Sequence, residues 1–314
     1  MNEIILKEDN KTEKKEITQS VIQSFIEFLD VNPLTVKSYK SGISYFMRYL
    51  KEKGIKFPVR NDIISFKKYL IDCGKSPATV SAYLSSLRRF FSWTNSENFY
   101  PDISAGIKSP KLDKGFKRDY LSGKQIAQVL DTADRNTLQG LRDYAIIAVM
   151  STCGLRCCEV IRADIQDIRN LGGVVCLFVQ GKGRNSKREF VKLTQPVLEA
   201  VNSYLQARGN VKGSEPLFAS CSRRNKGGRL TTRTISSICK NSMIRAGFNS
   251  SRLTAHSLRH SAITASLMAG LSLSETSAFA RHSNIQTTTL YAHHVSRIQS
   301  ACEEAITKSI FLRL

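Results

Sequence analysis

No stretch of the 314-residue chain reaches the roughly 18 uninterrupted apolar residues of a membrane-spanning helix. The charged segment Met1 to Glu16 also lacks an apolar core of signal-peptide length, so the chain reads as soluble and cytoplasmic, with no membrane partner. Its eight cysteines lack CxxC pairs, and the adjacent Cys157 and Cys158 suit no ordinary disulfide framework, which leaves them as reduced, mostly packed thiols. Ordinary metal-ligand spacing is missing too, and the remaining zinc arrangement would need Cys153, Cys157 and a distant histidine. Carboxylates are scarce where histidines crowd: between His256 and His294 only Glu275 occurs, too few for two-metal phosphoryl transfer. No metal and no cofactor is expected. Internal repeats and low-complexity segments are likewise missing.

Acidic residues are outnumbered, 26 against 47 Lys plus Arg, for a net charge of +21. That excess points to a polyanionic partner, with a solubility surface or a membrane surface as the weaker readings. It is uneven: residues 1–110 hold 17 basic and 12 acidic residues, against 30 and 14 for residues 111–314.

After a polar extension at 1–16, a helical domain spans 17–98, with four amphipathic patterns filling 17–95. Val21, Ile22, Phe25, Phe28 and Leu29 mark the first, and Val36, Tyr39, Ile43, Phe46, Met47 and Leu50 the second. Asn61 and Gly74 bracket a third, and Ser76-Pro77 opens a fourth through Val80, Leu84, Leu87 and Phe91. From Phe99 to Tyr120 the periodicity lapses among prolines, glycines and Lys108, Lys111, Lys114, Lys117 and Arg118, which reads as a basic linker at 99–120. A second domain at 121–296 opens with a helix capped by Ser122 and a buried helix from Leu141 to Met150. One β-hairpin follows, Val174 to Val179 and Arg188 to Leu193, with Lys182 at its tip. Further helices are expected at 196–208, 232–246, 257–269, 274–281 and 295–307. The fold class is therefore mainly α with a small β-sheet.

All five histidines lie between His256 and His294. His256 and Arg259 are three apart in His-Ser-Leu-Arg-His, hence on one face of a helix. Ala280-Arg281-His282 precedes Tyr291, nine residues beyond the histidine, and Gly154-Leu155-Arg156-Cys157-Cys158-Glu159 lies upstream. These segments resemble the motifs of the tyrosine recombinase, or phage integrase, family, in its Xer-type and mobile-element branches. The resemblance spans almost the whole chain. Arg156 and Glu159 match its first arginine and the acidic residue three later, and Lys182 its hairpin lysine. His256 and Arg259 match its His-x-x-Arg pair, and His282 and Tyr291 its Leu-Gly-His segment and nucleophile. The order and spacing are specific where each motif alone is weak.

The resemblance implies a helical SAM-like core-binding domain and a mixed α/β catalytic domain forming a C-shaped clamp around DNA. It implies an enzyme that cuts and rejoins strands through a 3′-phosphotyrosine at Tyr291, with integration or excision of a mobile element favoured over Xer-type dimer resolution or inversion. The chemistry suits these residue types. Arginine forks stabilise charge growing on a pentacoordinate phosphorus, the role read for Arg156 and Arg259. A phenol needs help losing its proton but leaves well on religation. Lys182 is read as the acid for the departing 5′-hydroxyl, His256 as assisting proton transfer at the phenol, His282 as a hydrogen-bond donor to phosphoryl oxygens, and Glu159 as a support. His260, His293 and His294 read as capping, packing or phosphate contacts.

DNA contacts are expected from Arg88, Arg89, Lys117, Arg118, Arg184, Lys187, Arg233, Lys240 and Arg281. Arg281 stands where the family usually has glycine, and Cys157-Cys158 where it has small or polar residues. The implied partners are duplex DNA with specific sites, a homotetramer on synapsed DNA that is a monomer or weak oligomer when free, and room for an accessory DNA-bending protein. Nucleoid association follows. The tail at 297–314 is expected to dock on a neighbouring subunit, through a stripe of Val295, Ile298, Cys302, Ala305 and Ile306. Competing readings are a metal-dependent nuclease, a DNA-binding regulator and a type IB topoisomerase.

Overall fold

The computed structural model describes residues 15–111, 119–181 and 183–311. The chain divides into two compact units, residues 1–115 and 116–314.

In the first unit, the apolar periodicity becomes four helices: α1 (Gln19–Phe28), α2 (Pro33–Glu52), α3 (Arg60–Asp72) and α4 (Pro77–Ser96). The side chain of Asn32 accepts from Leu34 N–H at 2.9 Å ahead of the first-turn Pro33, and Ser76 accepts from Thr79 N–H at 3.2 Å ahead of Pro77. One cap differs from expectation. Asn61 lies inside α3, and Asp62 instead reaches back to the Val59 N–H at 2.7 Å. Phe25, Phe46, Phe66, Phe90 and Phe91 fill the core, with Phe25 edge-on to Phe90 at 5.3 Å and Phe46 edge-on to Phe66 at 5.0 Å. Burying each such ring contributes about 1.5–3 kcal/mol.

The linker begins later than the sequence suggests. Tyr100, Ile103 and Ile107 are buried in this same core. The Tyr100 hydroxyl donates to the Pro58 carbonyl at 2.8 Å, and Arg88 donates to the Ile107 carbonyl at 3.1 Å and to Ser109 Oγ at 2.6 Å. Their three-to-four spacing packs an irregular segment rather than a helix.

The second unit opens with α5 (Gly123–Asp131), where Ser122 and Gln125 exchange side-chain and backbone bonds at 2.9 and 3.3 Å. The apolar run becomes α6 (Leu138–Thr152), buried from Ala145 to Met150. A short α7 (Cys157–Arg162) leads to a three-stranded antiparallel sheet, β1 (Ile168–Leu171), β2 (Val174–Val179) and β3 (Glu189–Lys192), in that order. The sequence reading found only the β2–β3 hairpin. Gly172 and Gly173, both at positive φ (58° and 86°), make the tight turn that folds β1 onto β2.

Helices α8 (Gln195–Arg208), α9 (Thr232–Arg245), α10 (Ala255–Met268) and α11 (Leu273–Ala280) fall close to the expected spans. The expected helix at 295–307 is instead two, α12 (Gln286–Gln299) and α13 (Cys302–Phe311). The threonines at 287–289 are poor helix formers, but Thr288 is buried and packing overrides propensity there. Val295 is buried within its own unit, whereas α13 buries no residue and exposes Ile306, Ile310 and Phe311. Helix α10 packs against α6, α11 and α12, and this centre carries the site.

Candidate active site

The turn between α6 and α7 organises one wall. Gly154 sits at φ +59°, a conformation L side chains rarely adopt, and its carbonyl accepts from the guanidinium groups of Arg259 and Arg281. Arg156 caps α7 with extended backbone. Glu159, 0% exposed, accepts from the Arg156 N–H at 2.9 Å and from its guanidinium at 2.6 Å. Burial pushes the Glu159 carboxyl upward, but Arg281 and Arg156 outweigh it and hold the group below the usual carboxylate range.

Arg259 lies on α10, 1% exposed, and donates to the carbonyls of Gly154 and Ala280. Burial, then repulsion from Arg156 and Arg281, pushes it down to about 9, so it stays charged at neutral pH.

Arg281 corrects the sequence reading of a DNA contact. Its side chain is 4% exposed and points inward, where it ion-pairs with Glu159 at 3.0 Å and donates to the Phe279 carbonyl at 2.7 Å and the Gly154 carbonyl at 3.0 Å. The backbone is left-handed (φ 53°, ψ 47°) and ends α11 with bonds from Arg281 N–H to Ala278 and from His282 N–H to Ser277. A glycine would take this position without strain. The arginine holds it at a cost of about 1–2 kcal/mol, which the ion pair and carbonyl bonds offset.

That closure delivers His282, whose Nδ1 shares a 2.8 Å hydrogen bond with the buried Thr288 hydroxyl. Burial, followed by the repulsion of Arg259, Arg156 and Arg281, pushes its imidazole down to about 4. Tyr291, 5% exposed on α12, has its phenol pushed up to about 12 by burial, against the opposing pull of Arg259 and Arg156. Its ring stacks on His282 at 6.2 Å, and its hydroxyl hydrogen-bonds Nδ1 of His260. His260 is thus a site residue that the sequence suggests only as a capping, packing or phosphate contact. Its place four residues after His256, on the same helix face, was the available signal. The exposed His256 packs edge-on against it at 4.5 Å.

Together Arg156, Glu159, Arg259, His260, His282 and Tyr291 form one constellation. Lys182, Lys117 and Arg118 lie outside the described residues. Of the surface candidates, Lys187 pairs with Asp164 at 2.6 Å and with Asp167. Arg88 is held by the carbonyl and hydroxyl already described, and Lys240 donates to the Ser250 carbonyl at 2.6 Å. Arg184 pairs with Glu189 at 3.0 Å but stays half exposed, and Arg89 is exposed over the Phe28 ring. Exposed Arg233 joins Lys240, Asn241 and His256 around a cleft of about 560 Å³. His294 packs edge-on to Tyr120 at 6.0 Å. All eight cysteines are free thiols, and among the described residues no cluster of three metal-ligating side chains forms. No helix among them is long and apolar enough to cross a membrane.

Residues 119–297 match the phage integrase family, and residues 22–98 its N-terminal SAM-like domain. The chain belongs to the phage integrase family, the tyrosine recombinases. Among relatives of this integrase-family chain is the tyrosine recombinase XerD of Staphylococcus haemolyticus, 28% identical over 292 residues, covering 90% of this chain and 96% of that one. The XerH site-specific recombinase bound to its palindromic difH substrate, in a post-cleavage complex, is similar in fold: TM-score 0.70, 21% identity, 86% of this chain and 80% of that one. So is a lambda integrase tetramer bound to a Holliday junction: TM-score 0.66, 16% identity, 89% and 78%.

Proposed function

We propose that this integrase-family chain cuts and rejoins duplex DNA at specific sites through a 3′-phosphotyrosine on Tyr291. The observation that carries the reading is the buried Tyr291 phenol under the pull of Arg156 and Arg259, in a pocket where Arg156 and Arg281 share the buried Glu159 carboxylate. Three guanidinium groups, counting Arg281, face Glu159 alone, so the pocket is short of negative charge. A scissile phosphodiester supplies it, and supplies more as the phenolic oxygen adds to phosphorus. Arg156 and Arg259 bind the non-bridging oxygens, and His282, neutral at pH 7, donates to one of them. Lys182 protonates the departing 5′-oxygen, and His256 assists proton movement at the phenol. Arg233, Arg184 and Arg89, together with Lys117 and Arg118, grip the flanking phosphates.

The chain acts on DNA in the cytoplasm, and a tetramer assembles on two synapsed duplexes. The lambda integrase tetramer on its Holliday junction supports this stoichiometry. Helix α13, with no buried residue, is the tail that docks on a neighbouring protomer. Integration and excision of a mobile element is the favoured programme, supported by the distance from the Xer relatives: 28% identity, and Arg281 where glycine is usual. Xer-type dimer resolution is the second reading, favoured by a likeness to XerD over 90% of the chain.

A strand-transfer assay in EDTA, with duplexes bearing one or two of the sites that flank the gene, tests the proposal. Covalent adducts on one-site DNA and recombinants on two-site DNA are expected, and truncation after Arg297 should spare half-site binding but abolish recombinants. A strict magnesium requirement would contradict the reading. Joining of unlike sites supports integration, and recombination between two like sites supports resolution.

A further inference from the structure

The sequence reads His256 as assisting proton transfer at the phenol, but the structure sets a different imidazole against the Tyr291 oxygen. Helices α10 and α12 pack together, and the rings of His260 and Tyr291 lie 5.2 Å apart with planes inclined by 34°. That inclination lets Nδ1 of His260 meet the phenolic oxygen in a hydrogen bond. His282 stacks on the Tyr291 ring at 6.2 Å with its own Nδ1 engaged by Thr288. His256, one turn before His260, closes on the His260 ring edge-on at 4.5 Å. We propose that His260 is a catalytic residue that orients the Tyr291 hydroxyl and receives its proton during strand cleavage.

The step requires a neutral His260 with its proton on Nε2. The Tyr291 oxygen forms its bond to phosphorus, the bond from phosphorus to the 5′-oxygen breaks, and the phenolic proton moves to Nδ1. The 5′-oxygen takes its own proton from the acid assigned to Lys182. On religation the 5′-hydroxyl attacks phosphorus, the Tyr291–phosphorus bond breaks, and the imidazolium returns its proton to the phenol. Geometry is the first requirement of a general base, and a buried phenol, pushed up to about 12, is the partner that most needs one. Arg156 and Arg259 favour the phenolate as it forms but carry no free lone pair to accept its proton.

The inference rests on Tyr291 being the nucleophile, and its test separates the two ideas. Adduct formation is measured under single-turnover conditions on a nicked duplex that traps the covalent complex, with the full chain, His260→Ala and His260→Gln. Peptide mapping of the wild-type adduct checks the nucleophile independently: an adduct away from Tyr291 removes the foundation, whatever His260 does. His260→Ala should slow adduct formation by about a hundredfold or more. Half-saturation by DNA and the melting temperature should be unchanged, and added imidazole should restore part of the rate. His260→Gln keeps a hydrogen-bond acceptor but cannot take the proton, so it should fold and be comparably slow. Wild-type speed in His260→Gln would reduce His260 to a positioning residue and overturn the proposal. So would a folded His260→Ala that imidazole does not rescue, or one that forms adducts as fast as or faster than wild type.

Discussion

The two units bury different things. The helical unit packs five phenylalanines, and its buried polar groups among the described residues, Ser86, Thr94 and Ser104, are each bonded to nearby groups. The second unit buries Arg142, Asp143, Glu159, Asp167 and Arg259. A core of aromatic rings is stabilised by burial alone, whereas buried charges are costly to desolvate and persist only where other charges and carbonyls hold them. Arg142 and Asp143 satisfy each other at 2.7 Å, with the Ala219 carbonyl at 3.1 Å. The cluster around Glu159 does not balance: Arg259 and His282 are both pushed down by like charges as well as by burial. The difference separates a unit stabilised by apolar burial from one that keeps an unbalanced cluster of positive charge in its interior.

The largest contrast should come from paired variants of the full chain. Phe66→Ala should cost about 3–5 kcal/mol through its cavity. Glu159→Gln should cost about as much by leaving Arg281 without its carboxylate. Trp93, the single tryptophan, lies in the helical unit. Its fluorescence transition in urea should therefore shift in Phe66→Ala and stay put in Glu159→Gln, which should instead lower a transition seen by circular dichroism and lose adduct formation. A Trp93 shift of equal size in both variants would erase the contrast.

A smaller effect sharpens the point at Arg281. Arg281→Ala loses the ion pair but keeps the left-handed backbone, whereas Arg281→Gly loses the ion pair and the strain together. The glycine variant should be the more stable of the two by about 1 kcal/mol in urea unfolding. Equal midpoints would mean the backbone there is not strained.

The smallest effect is pH dependence. His282 binds its proton near 6.5 when unfolded but near 4 when folded, so the unfolded chain holds the extra proton between these values. Stability without DNA should therefore fall as pH drops from about 6.5 to about 4. His282→Gln should show a flatter profile across that window in the urea midpoint. Glu159, held below its usual 4.5, loses its contribution at lower pH still.

Much of this was legible in the sequence because its signals were local. Helix periodicity, the Ser76-Pro77 start and the Ser122 cap each act within one turn, and the recombinase motifs carry their own spacing. What escaped depends on distant partners. Phe99 to Ser109 read as linker because Tyr100, Ile103 and Ile107 find their core only through Pro58 and Arg88. β1 is a short strand whose pairing rests on Gly172-Gly173. Arg281 reads in the sequence as a candidate phosphate contact because nothing local shows that Glu159, 122 positions away, receives it. His260 reads as a capping, packing or phosphate contact because its partner Tyr291 is 31 residues on, across a helix pair.

The central claim is that the pocket of Arg156, Arg259 and Glu159 serves a tyrosine nucleophile. Its most direct test is mass spectrometry of peptides from the chain trapped on nicked duplex DNA in EDTA, with Tyr291→Phe in parallel. A nucleotide-bearing peptide modified at Tyr291 is expected from the wild-type chain. Tyr291→Phe should bind the same DNA with unchanged affinity and yield no adduct. Normal adduct levels in Tyr291→Phe, or a modified residue other than Tyr291, would contradict the account.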